Sequence, residues 1–316
     1  MKIVLPDAST VTNGDLALDV FEKYGETVIY PLTEQSLLSE RICDAEAVFC
    51  NKSIMSREII MQAKNLRYIG LFATGYNNVD LEAATERGIV VSNAGAYSTD
   101  AVAQHVFALI LNQASKISAY DSFVKSGGWQ TSAVFSPIVF PMTELAGKTI
   151  GIVGFGSIGR RVSEIAKAFS MRVLAYSRSP KTAEGVTFLS LSEVLANSDF
   201  VTMHLPLTKE TEKMCNWEFF SFMKKGAYFI NTSRGGVVEA TALKEALVSE
   251  KLSGAAIDVL EKEPMPMDSL YMSMPNVTVT PHVAWAPLET RQRLLQIVEE
   301  NFLGFLEGKP KNQVNR

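Results

Sequence analysis

The stretch that decides the fold is Lys148-Thr-Ile-Gly-Ile-Val-Gly154-Phe-Gly156-Ser-Ile-Gly159-Arg-Arg-Val162. A short apolar run leads into the pattern G-x-G-x-x-G, and apolar residues then recur at helical spacing, at Ile158, Val162, Ile165 and Phe169. In such a strand–turn–helix unit, Gly154 permits the tight turn, Gly156 lets the backbone approach a pyrophosphate, and Gly159 lets the helix pack on the strand. Backbone N–H groups at the helix start attract phosphate. The stretch therefore predicts a dinucleotide-binding βαβ unit.

The end of the next predicted strand bears on the choice of dinucleotide. Residues 172–177 form that strand, and NAD-binding folds usually place an acidic residue at its end, on the adenosine ribose. This chain has Ser177-Arg178-Ser179 there, with no carboxylate before Glu184. A guanidinium beside two hydroxyls suits a 2′-phosphate, so NADPH is slightly favoured over NADH. The alternative leaves Arg178 in solvent and NAD bound without an acidic partner.

The composition indicates a globular protein with neither a nucleic-acid nor a membrane partner. Of 316 residues, 47% are hydrophobic and 20% are charged, which suffices for one large core or two moderate ones. The net charge of −4 gives no basic footprint for nucleic acid, and no apolar run reaches the length of a membrane span. Three cysteines without metal-ligand spacing favour reduced thiols, a cytoplasmic location and no bound metal. The first residues read as a strand rather than a signal peptide.

Strand and helix patterns alternate along the chain, which is typical of α/β domains with parallel sheets. Five short strands are predicted before the glycine motif, at Lys2–Leu5, Thr27–Tyr30, Ala47–Phe49, Tyr68–Phe72 and Ile89–Val91. This first unit lacks a glycine fingerprint, so we expect it to hold the substrate-side groups. A second α/β unit begins at Lys148 and ends near Pro281.

Two predicted helices set the boundaries between these units. Residues 98–116 open with a Ser-Thr-Asp cap, and residues 287–306 form one amphipathic helix. We therefore predict two doubly wound parallel-sheet domains with a cleft between them: a flavodoxin-like substrate domain (residues 1–97 and 288–316) and a Rossmann cofactor domain (residues 98–287). The irregular segment 126–142 carries aromatic residues, and it is predicted to pack as a loop, to close on the active site or to mediate a homodimer.

Titratable residues follow predicted strands of the second unit, at the edge where open α/β sheets bind ligands. Arg234 follows an apolar strand, and its planar guanidinium suits a carboxylate. His282 follows a β-branched strand and a proline, and a carboxylate partner would hold its tautomer for proton transfer near neutral pH. Glu263 and Glu261 are the two candidates for that partner. His105 is a weaker candidate, because it falls within a predicted helix and is expected to be packed or hydrogen-bonded there.

These residues together resemble the D-isomer-specific 2-hydroxyacid dehydrogenase family. The resemblance covers nearly the whole chain and rests on four segments: Val153–Arg160, Asp199–Pro206, Met223–Glu239 and Pro281-His282. Within the family, four further segments look most like glycerate dehydrogenases (hydroxypyruvate reductases): Ala73–Asp80, Ala101–His105, Thr143–Gly151 and His282–Pro287. The resemblance implies hydride transfer from NAD(P)H to hydroxypyruvate or glyoxylate, giving D-glycerate or glycolate. Ser177 departs from the family, because many NAD-dependent members carry Asp there.

The resemblance also implies a set of site residues. Arg234 would bind the substrate carboxylate and carbonyl, His282 would be the acid/base, and Glu263 would be its partner. Further substrate contacts are implied for Lys52, Ala73, Thr74, Gly75 and Trp285. With the residues described above, the cofactor site would comprise Gly154, Gly156, Ser157, Ile158, Gly159, Ser177, Arg178, Ser179, His204, Leu205, Pro206, Thr211, Thr232, Ser233, Arg234, Asp258, His282 and Ala284.

Two other functions stay open from the sequence. Some relatives on this fold are corepressors, so a non-enzymatic dinucleotide sensor is one alternative. The other is a dehydrogenase of the family that acts on a different 2-oxo acid. A formate dehydrogenase is disfavoured, because formate oxidation needs no proton acceptor and a carboxylate rather than an amide is predicted beside the histidine. The expected partners are a small 2-oxo or 2-hydroxy acid and a second copy of the chain.

Overall fold

The computed structural model describes residues 1–179 and 181–315, so positions 180 and 316 of the predicted domains lie outside it. The described residues form twelve strands: β1 (Lys2–Leu5), β2 (Glu26–Ile29), β3 (Ala47–Cys50), β4 (Tyr68–Leu71), β5 (Val90–Ser92), β6 (Thr149–Val153), β7 (Arg172–Tyr176), β8 (Val186–Phe188), β9 (Phe200–Met203), β10 (Ala227–Asn231), β11 (Leu252–Ile257) and β12 (Val277–Val279). The same residues form ten α-helices: α1 (Leu38–Arg41), α2 (Arg57–Gln62), α3 (Leu81–Glu86), α4 (Thr99–Ser115), α5 (Ile117–Lys125), α6 (Ser157–Ala168), α7 (Leu191–Asn197), α8 (Trp217–Phe222), α9 (Ala240–Val248) and α10 (Leu288–Leu306). Short 3-10 helices lie at Ala8–Thr10, Asp19–Tyr24, Gln35–Leu37, Gly235–Val237 and Leu270–Ser273.

Two compact units divide the chain, Met1–Ser98 with Ala286–Arg316 and Thr99–Trp285. In the first unit, the described strands form a parallel sheet in the order β2-β1-β3-β4-β5, which is the flavodoxin-like order. In the second unit, the order β12-β11-β10-β9-β6-β7-β8 extends the Rossmann order by one strand. The prediction of two doubly wound parallel-sheet domains is confirmed.

Several predicted strands differ from the observed ones by one residue. Strand β2 is shifted one residue towards the N-terminus, because Glu26 pairs with Lys2 of β1 and Ile29 pairs with Leu5. Strand β5 is shifted one residue towards the C-terminus, because Ser92 pairs with Gly70 of β4. Both ends are set by pairing with a strand far away in the sequence, which a local pattern does not contain.

Helix α10 belongs to the first unit because its aromatic residues pack on that unit's sheet. The ring of Phe302 lies edge-on to Phe49 of β3 at 5.1 Å between centroids, and it is tilted against Tyr68 of β4 at the same distance. Such edge and offset contacts are favoured between buried rings. None of the helices in residues 1–179 and 181–315 combines the length and apolar character needed to span a membrane.

Strand β6 is an inner strand of the second sheet and is buried along its whole length. Its neighbours are β7, the next strand in the sequence, and β9, which the chain reaches only after completing β8. The chain therefore reverses its winding direction between β6 and β9. Open α/β sheets bind ligands beyond the carboxyl ends of the strands at such a switch point.

Candidate active site

The connection from β6 into α6 requires glycine at two positions, one in the loop and one in the first turn of the helix. Gly154 has a φ of +99°, and a Cβ there would lie 2.5 Å from the carbonyl oxygen of His204. A Cβ on Gly159 would lie 2.3 Å from the carbonyl oxygen of Gly154. Any side chain at either position would collide with backbone, so the two glycines allow the tight turn and the close approach of α6 to the loop.

The third glycine of the motif faces open space. A Cβ on Gly156 would meet no atom within 4 Å among the described residues, and Gly156 and Ser157 are exposed. Gly156 is the N-cap of α6, and no side chain in the described part of the chain caps this end, so the first N–H groups of the 12-residue helix have no side-chain acceptor there. The positive end of the helix dipole adds to their attraction for an anion.

Thr232 gives a second indication of a ligand at this edge of the sheet. It directly follows β10, its side chain is buried, and its Oγ1 has no hydrogen-bond partner within the described part of the chain. A buried hydroxyl without a partner costs free energy unless something outside the chain pairs with it. The glycine loop, the uncapped helix and Thr232 together fit a dinucleotide.

The segment after β7 carries the charged side chain of Arg178, with Ser177 and Ser179 on either side of it in the sequence. Ser177 is half-buried, whereas Arg178 and Ser179 are exposed. The hydroxyl of Thr208, and to a smaller extent the charge of Arg178, lower the pKa of Glu210, so a carboxylate lies within electrostatic reach of Arg178. The structure thus places a cation at the predicted ribose end of the site, with Glu210 as a competing anion.

The end of β9 closes the other side of the glycine loop. The distance from His204 Nε2 to Thr202 Oγ1 is 3.0 Å, and desolvation lowers the pKa of His204 to about 3. The neutral form of the ring is therefore favoured near neutral pH. The Thr211 hydroxyl donates to the Pro206 carbonyl at 2.6 Å and shapes the loop that carries the predicted cofactor contacts Leu205, Pro206 and Thr211.

Asn231 folds the turn that presents Arg234. Its buried side-chain oxygen accepts from the Ser233 N–H at 3.0 Å, and its Nδ2 donates to the Arg234 carbonyl at 2.9 Å. A Cβ on Gly235 would lie 1.8 Å from the carbonyl carbon of Leu260, so glycine lets this turn touch the segment after β11. The guanidinium donates from Nη1 to the Ser233 carbonyl at 2.7 Å, which fixes its direction.

Glu263 and His282 form a close pair in the second unit. The distance from His282 Nδ1 to Glu263 Oε2 is 2.7 Å, and the other carboxylate oxygen accepts from the Leu260 N–H at 2.9 Å. Glu261, the alternative partner from the sequence, acts electrostatically on Tyr271, whose pKa is raised to about 12 mainly by burial. With Nδ1 held by Glu263, Nε2 is the nitrogen that can exchange a proton with a ligand.

Asp258 holds the backbone around His282. It directly follows β11, it is 1% exposed, and its two oxygens accept from the N–H groups of Val283 and Ala284, each at 3.0 Å. His282 itself has a φ of +55°, and its N–H donates to the Asp258 carbonyl at 2.8 Å. The histidine thus lies in an unusual backbone conformation that a buried carboxylate maintains.

In the first unit, two side chains hold the loops predicted to contact substrate. Buried Asp7 accepts from the N–H groups of Lys52 and Ser53, both at 2.7 Å. Asn78, in the loop that includes Ala73, Thr74 and Gly75, donates to the Ser53 carbonyl at 2.9 Å. The two loops are therefore fixed to each other, and Lys52 and Thr74 are exposed. Trp285 is half-buried at the end of the second unit.

The arrangement can be compared with known proteins. Residues 107–284 match the model of the D-isomer specific 2-hydroxyacid dehydrogenase, NAD binding domain, which is more than half of the chain. The chain belongs to this family. It is 38% identical to a hydroxypyruvate reductase of Blautia hydrogenotrophica over 322 aligned positions that cover 100% of both chains. It is 42% identical to a glyoxylate reductase of Pyrococcus furiosus, over 88% of this chain and 85% of the other. A crystal structure of a protein from Thermus thermophilus superposes with a TM-score of 0.91 at 35% identity, covering 99% of this chain and 100% of that one.

Membership of the D-2-hydroxyacid dehydrogenases makes this an oxidoreductase-family protein with a nicotinamide-dinucleotide-binding domain. The predicted site residues of the second unit lie at the carboxyl ends of β6, β7, β9, β10, β11 and β12. Within the described residues, no three His, Cys, Asp or Glu side chains are grouped as metal ligands. Burial raises the pKa of the Cys50 and Cys215 thiols, and Cys43 is exposed.

Sequence reasoning missed Asn231 and Asp7, and it gave Asp258 a role only in cofactor binding. Asn231 and Asp258 fold the turns that carry Arg234 and His282, and Asp7 holds the Lys52 loop. The available signal was position, since each of the three stands at or just after the end of a parallel strand. Which backbone N–H groups they bind depends on chain segments 25 to 46 residues away for Asp258 and Asp7.

Proposed function

We propose that this protein is a D-2-hydroxyacid dehydrogenase that reduces hydroxypyruvate or glyoxylate to D-glycerate or glycolate with NAD(P)H. The observation that carries the proposal is the 2.7 Å contact between His282 and Glu263, in the same unit as Arg234 and the open glycine loop. A protein that only senses a dinucleotide has no need for a histidine–carboxylate pair. The names of the two relatives support the choice of substrates.

Arg234 orients the substrate in this proposal. Its guanidinium binds the carboxylate of the 2-oxo acid through two parallel hydrogen bonds and directs a third N–H at the carbonyl oxygen. The Asn231-stabilised turn keeps the guanidinium in one direction, so little freedom is lost when substrate binds. As charge develops on the carbonyl oxygen, the positive charge of Arg234 stabilises it.

His282 supplies the proton. When bound, the nicotinamide supplies the hydride that reduces the carbonyl carbon. The imidazolium of His282 gives its Nε2 proton to the developing alkoxide, and Glu263 at Nδ1 stabilises the positive charge that the ring carries before transfer. In the reverse direction the same nitrogen removes the hydroxyl proton. The contact also fixes the ring orientation, which keeps Nε2 at one place.

For the cofactor we infer a slight preference for NADPH. Arg178 is exposed beside Ser177 and Ser179 at the end of β7, where a guanidinium and two hydroxyls suit a 2′-phosphate. The Thr208 hydroxyl and, to a smaller extent, the charge of Arg178 lower the pKa of Glu210, so this carboxylate interacts with the guanidinium. Substrate contacts by Lys52, Ala73, Thr74, Gly75 and Trp285 stay predictions from the resemblance.

We further propose that the protein is a homodimer formed through residues 126–142. Two apolar side chains of this segment are almost entirely exposed, Phe135 at 91% and Ile138 at 83%. Four more are more than half exposed or nearly so: Trp129, Val134, Val139 and Met142. An apolar patch of this kind is uncommon on a monomer and typical of an interface. The double change F135D/I138D should convert a dimer into a monomer in analytical ultracentrifugation.

The reaction is tested by mixing the protein with NADH or NADPH and a panel of 2-oxo acids while following nicotinamide absorbance. The panel contains hydroxypyruvate, glyoxylate, pyruvate and a bulky 2-oxo acid. We expect turnover with the first two and higher kcat/KM with NADPH. Binding of both nucleotides without turnover of any oxo acid would contradict the proposal and favour a dinucleotide sensor.

A further inference from the structure

A chain of side-chain hydrogen bonds runs away from the candidate active site into helix α4. The Thr280 hydroxyl lies 2.6 Å from Asp258 Oδ1 and donates to it. His105 Nε2 lies 3.0 Å from the same hydroxyl oxygen and 3.6 Å from Asp258 Oδ1. Asp258, Thr280 and His105 therefore form a continuous line within the second unit.

The number of protons available determines which group donates in each of these hydrogen bonds. The Thr280 hydroxyl has one proton, which it gives to the carboxylate, so its oxygen can only accept from His105. His105 Nε2 must then carry a hydrogen. His105, which the sequence predicts to be packed or hydrogen-bonded within its helix, is thus a donor to a hydroxyl that in turn donates to a buried carboxylate.

The other end of the line controls the backbone that carries His282. Asp258 Oδ1 accepts from both the Thr280 hydroxyl and the Val283 N–H, and Oδ2 accepts from the Ala284 N–H. These bonds hold the backbone that follows His282, whose φ of +55° is costly for a residue with a Cβ. A rotation of the Asp258 carboxylate would release two N–H groups and allow the His282 turn to relax.

We propose that His105 and Thr280 are positioning residues for His282. They orient the Asp258 carboxylate, and Asp258 in turn holds the turn from which the imidazole reaches the substrate. Neither residue touches a reacting atom in this proposal. The consequence for catalysis rests on the proposed function, whereas the consequence for the backbone turn does not.

The first test measures the turn directly, in the protein without substrate or cofactor. Thr280→Val removes the hydroxyl and keeps the shape, and Thr280→Ser keeps the hydroxyl. Hydrogen–deuterium exchange of a peptide that contains Val283 and Ala284 should accelerate at least about tenfold in the Val variant and stay near wild type in the Ser variant. A peptide spanning the glycine loop after β6 is the internal control, and its exchange should not change.

The second test uses the reaction itself. His105→Leu removes the donor, and His105→Gln offers an N–H at nearly the same place. We expect kcat to fall about tenfold in Thr280→Val and in His105→Leu with KM little changed, because the defect lies in aiming the proton donor. The Gln and Ser variants should recover most of the loss. In the double variant H105L/T280V the two losses should not multiply, because both break one chain.

Each outcome decides a separate point. If wild type does not reduce any oxo acid, the proposed function is lost, while the exchange result still judges the positioning role. If wild type is active but exchange and kcat are unchanged in Thr280→Val and His105→Leu, the positioning role is overturned. Losses that multiply in the double variant, or that the Gln and Ser variants do not recover, would also overturn it. If Thr280→Val does not fold, the Leu and Gln pair at position 105 carries both tests.

Discussion

After β6 the chain turns through Gly154 and Gly156 directly into α6, whereas after β1 it passes through Asp7 into a 3-10 helix over Ala8–Thr10. Both strands are inner strands of parallel sheets. At the first site, the backbone N–H groups at the start of a helix have no side-chain cap among residues 1–179 and 181–315. At the second, the Asp7 carboxylate accepts the N–H groups of Asn51, Lys52 and Ser53.

The difference concerns which group satisfies the backbone donors at the carboxyl edge of a sheet. A glycine loop leaves the backbone N–H groups available to a negatively charged ligand, whose phosphate accepts their hydrogen bonds. An aspartate supplies the negative charge from within the chain, so the same kind of edge becomes a fixed platform for side chains. One topology thus serves for cofactor binding in one unit and for holding loops in the other.

The largest effect is expected from removing the imidazole of His282, the proposed proton donor at the carboxyl edge of the second sheet. His282→Ala should lower kcat for 2-oxo acid reduction by about 10²–10⁴, the range for a positioned acid or base. Nucleotide affinity and thermal stability should change little, because Asp258 holds the surrounding turn through backbone N–H groups. Stopped-flow turnover, fluorescence titration and thermal unfolding measure the three quantities. Near-wild-type turnover would move the acid/base role to another residue.

A second prediction separates the two functions of the glycine loop. Gly156→Ala should fold normally, because a Cβ meets nothing within 4 Å in the described structure and its φ is −84°. The added methyl should nevertheless weaken both NADH and NADPH by about 2 kcal/mol, roughly thirtyfold in Kd, by holding the pyrophosphate away from the backbone. Gly159→Ala is the matched contrast, since its Cβ lies 2.3 Å from a carbonyl oxygen and should destabilise the fold. An unchanged nucleotide Kd in Gly156→Ala would contradict the assignment of this loop to pyrophosphate binding.

The third prediction concerns the Asp7 edge. Asp7→Asn should lower the free energy of unfolding by about 2 kcal/mol, because an amide oxygen cannot satisfy all the N–H groups that the buried carboxylate accepts. Asp44→Asn is the control: its carboxylate lies at the surface beside Lys2, and its loss should leave chemical denaturation unchanged within error. Nucleotide Kd should stay at the wild-type value in both variants. If Asp7→Asn weakened the nucleotide as strongly as Gly156→Ala, the contrast between the two edges would fail.

The same contrast explains what the sequence could predict. The glycine loop, α6 and the doubly wound architecture were predictable, because local periodicity and a motif with separate steric duties determine them. The positions of Arg234 and His282 were predictable because parallel strands bring their carboxyl ends to one edge. Asp7 and Asn231 were not identified, because their roles lie in hydrogen bonds to backbone groups and leave no periodic signal.

The chain from His105 shows a second limit. Its members are separated by 175 residues between His105 and Thr280 and by 22 between Thr280 and Asp258. Each has a plausible local explanation in the sequence, as a helix residue, a strand end or a cofactor contact. Only the three-dimensional arrangement reveals that one hydroxyl joins them.

The smallest effect is expected after β7, where the exposed side chain of Arg178 would contact the 2′-phosphate on the adenosine ribose. Arg178→Ala should weaken NADPH by about 1.5 kcal/mol, the low end for a charge-assisted hydrogen bond, because Arg178 is exposed. NADH lacks the 2′-phosphate, so its Kd should hardly move.

The double change Ser177→Asp with Arg178→Ala should then turn the preference towards NADH, because a carboxylate accepts from the ribose hydroxyls and repels the phosphate. Fluorescence titration of both nucleotides into wild type and the two variants measures the preference. Ionic strength provides a further test. Raising it should reduce the wild-type preference for NADPH over NADH, because that preference depends on an exposed charge pair. The ratio of the two Kd values of Arg178→Ala should not change, because that variant lacks the guanidinium. An equal loss for NADH and NADPH in Arg178→Ala would show that the guanidinium supports the loop itself. The ribose end would then resemble the Asp7 edge, where a charged side chain holds the chain and not a ligand.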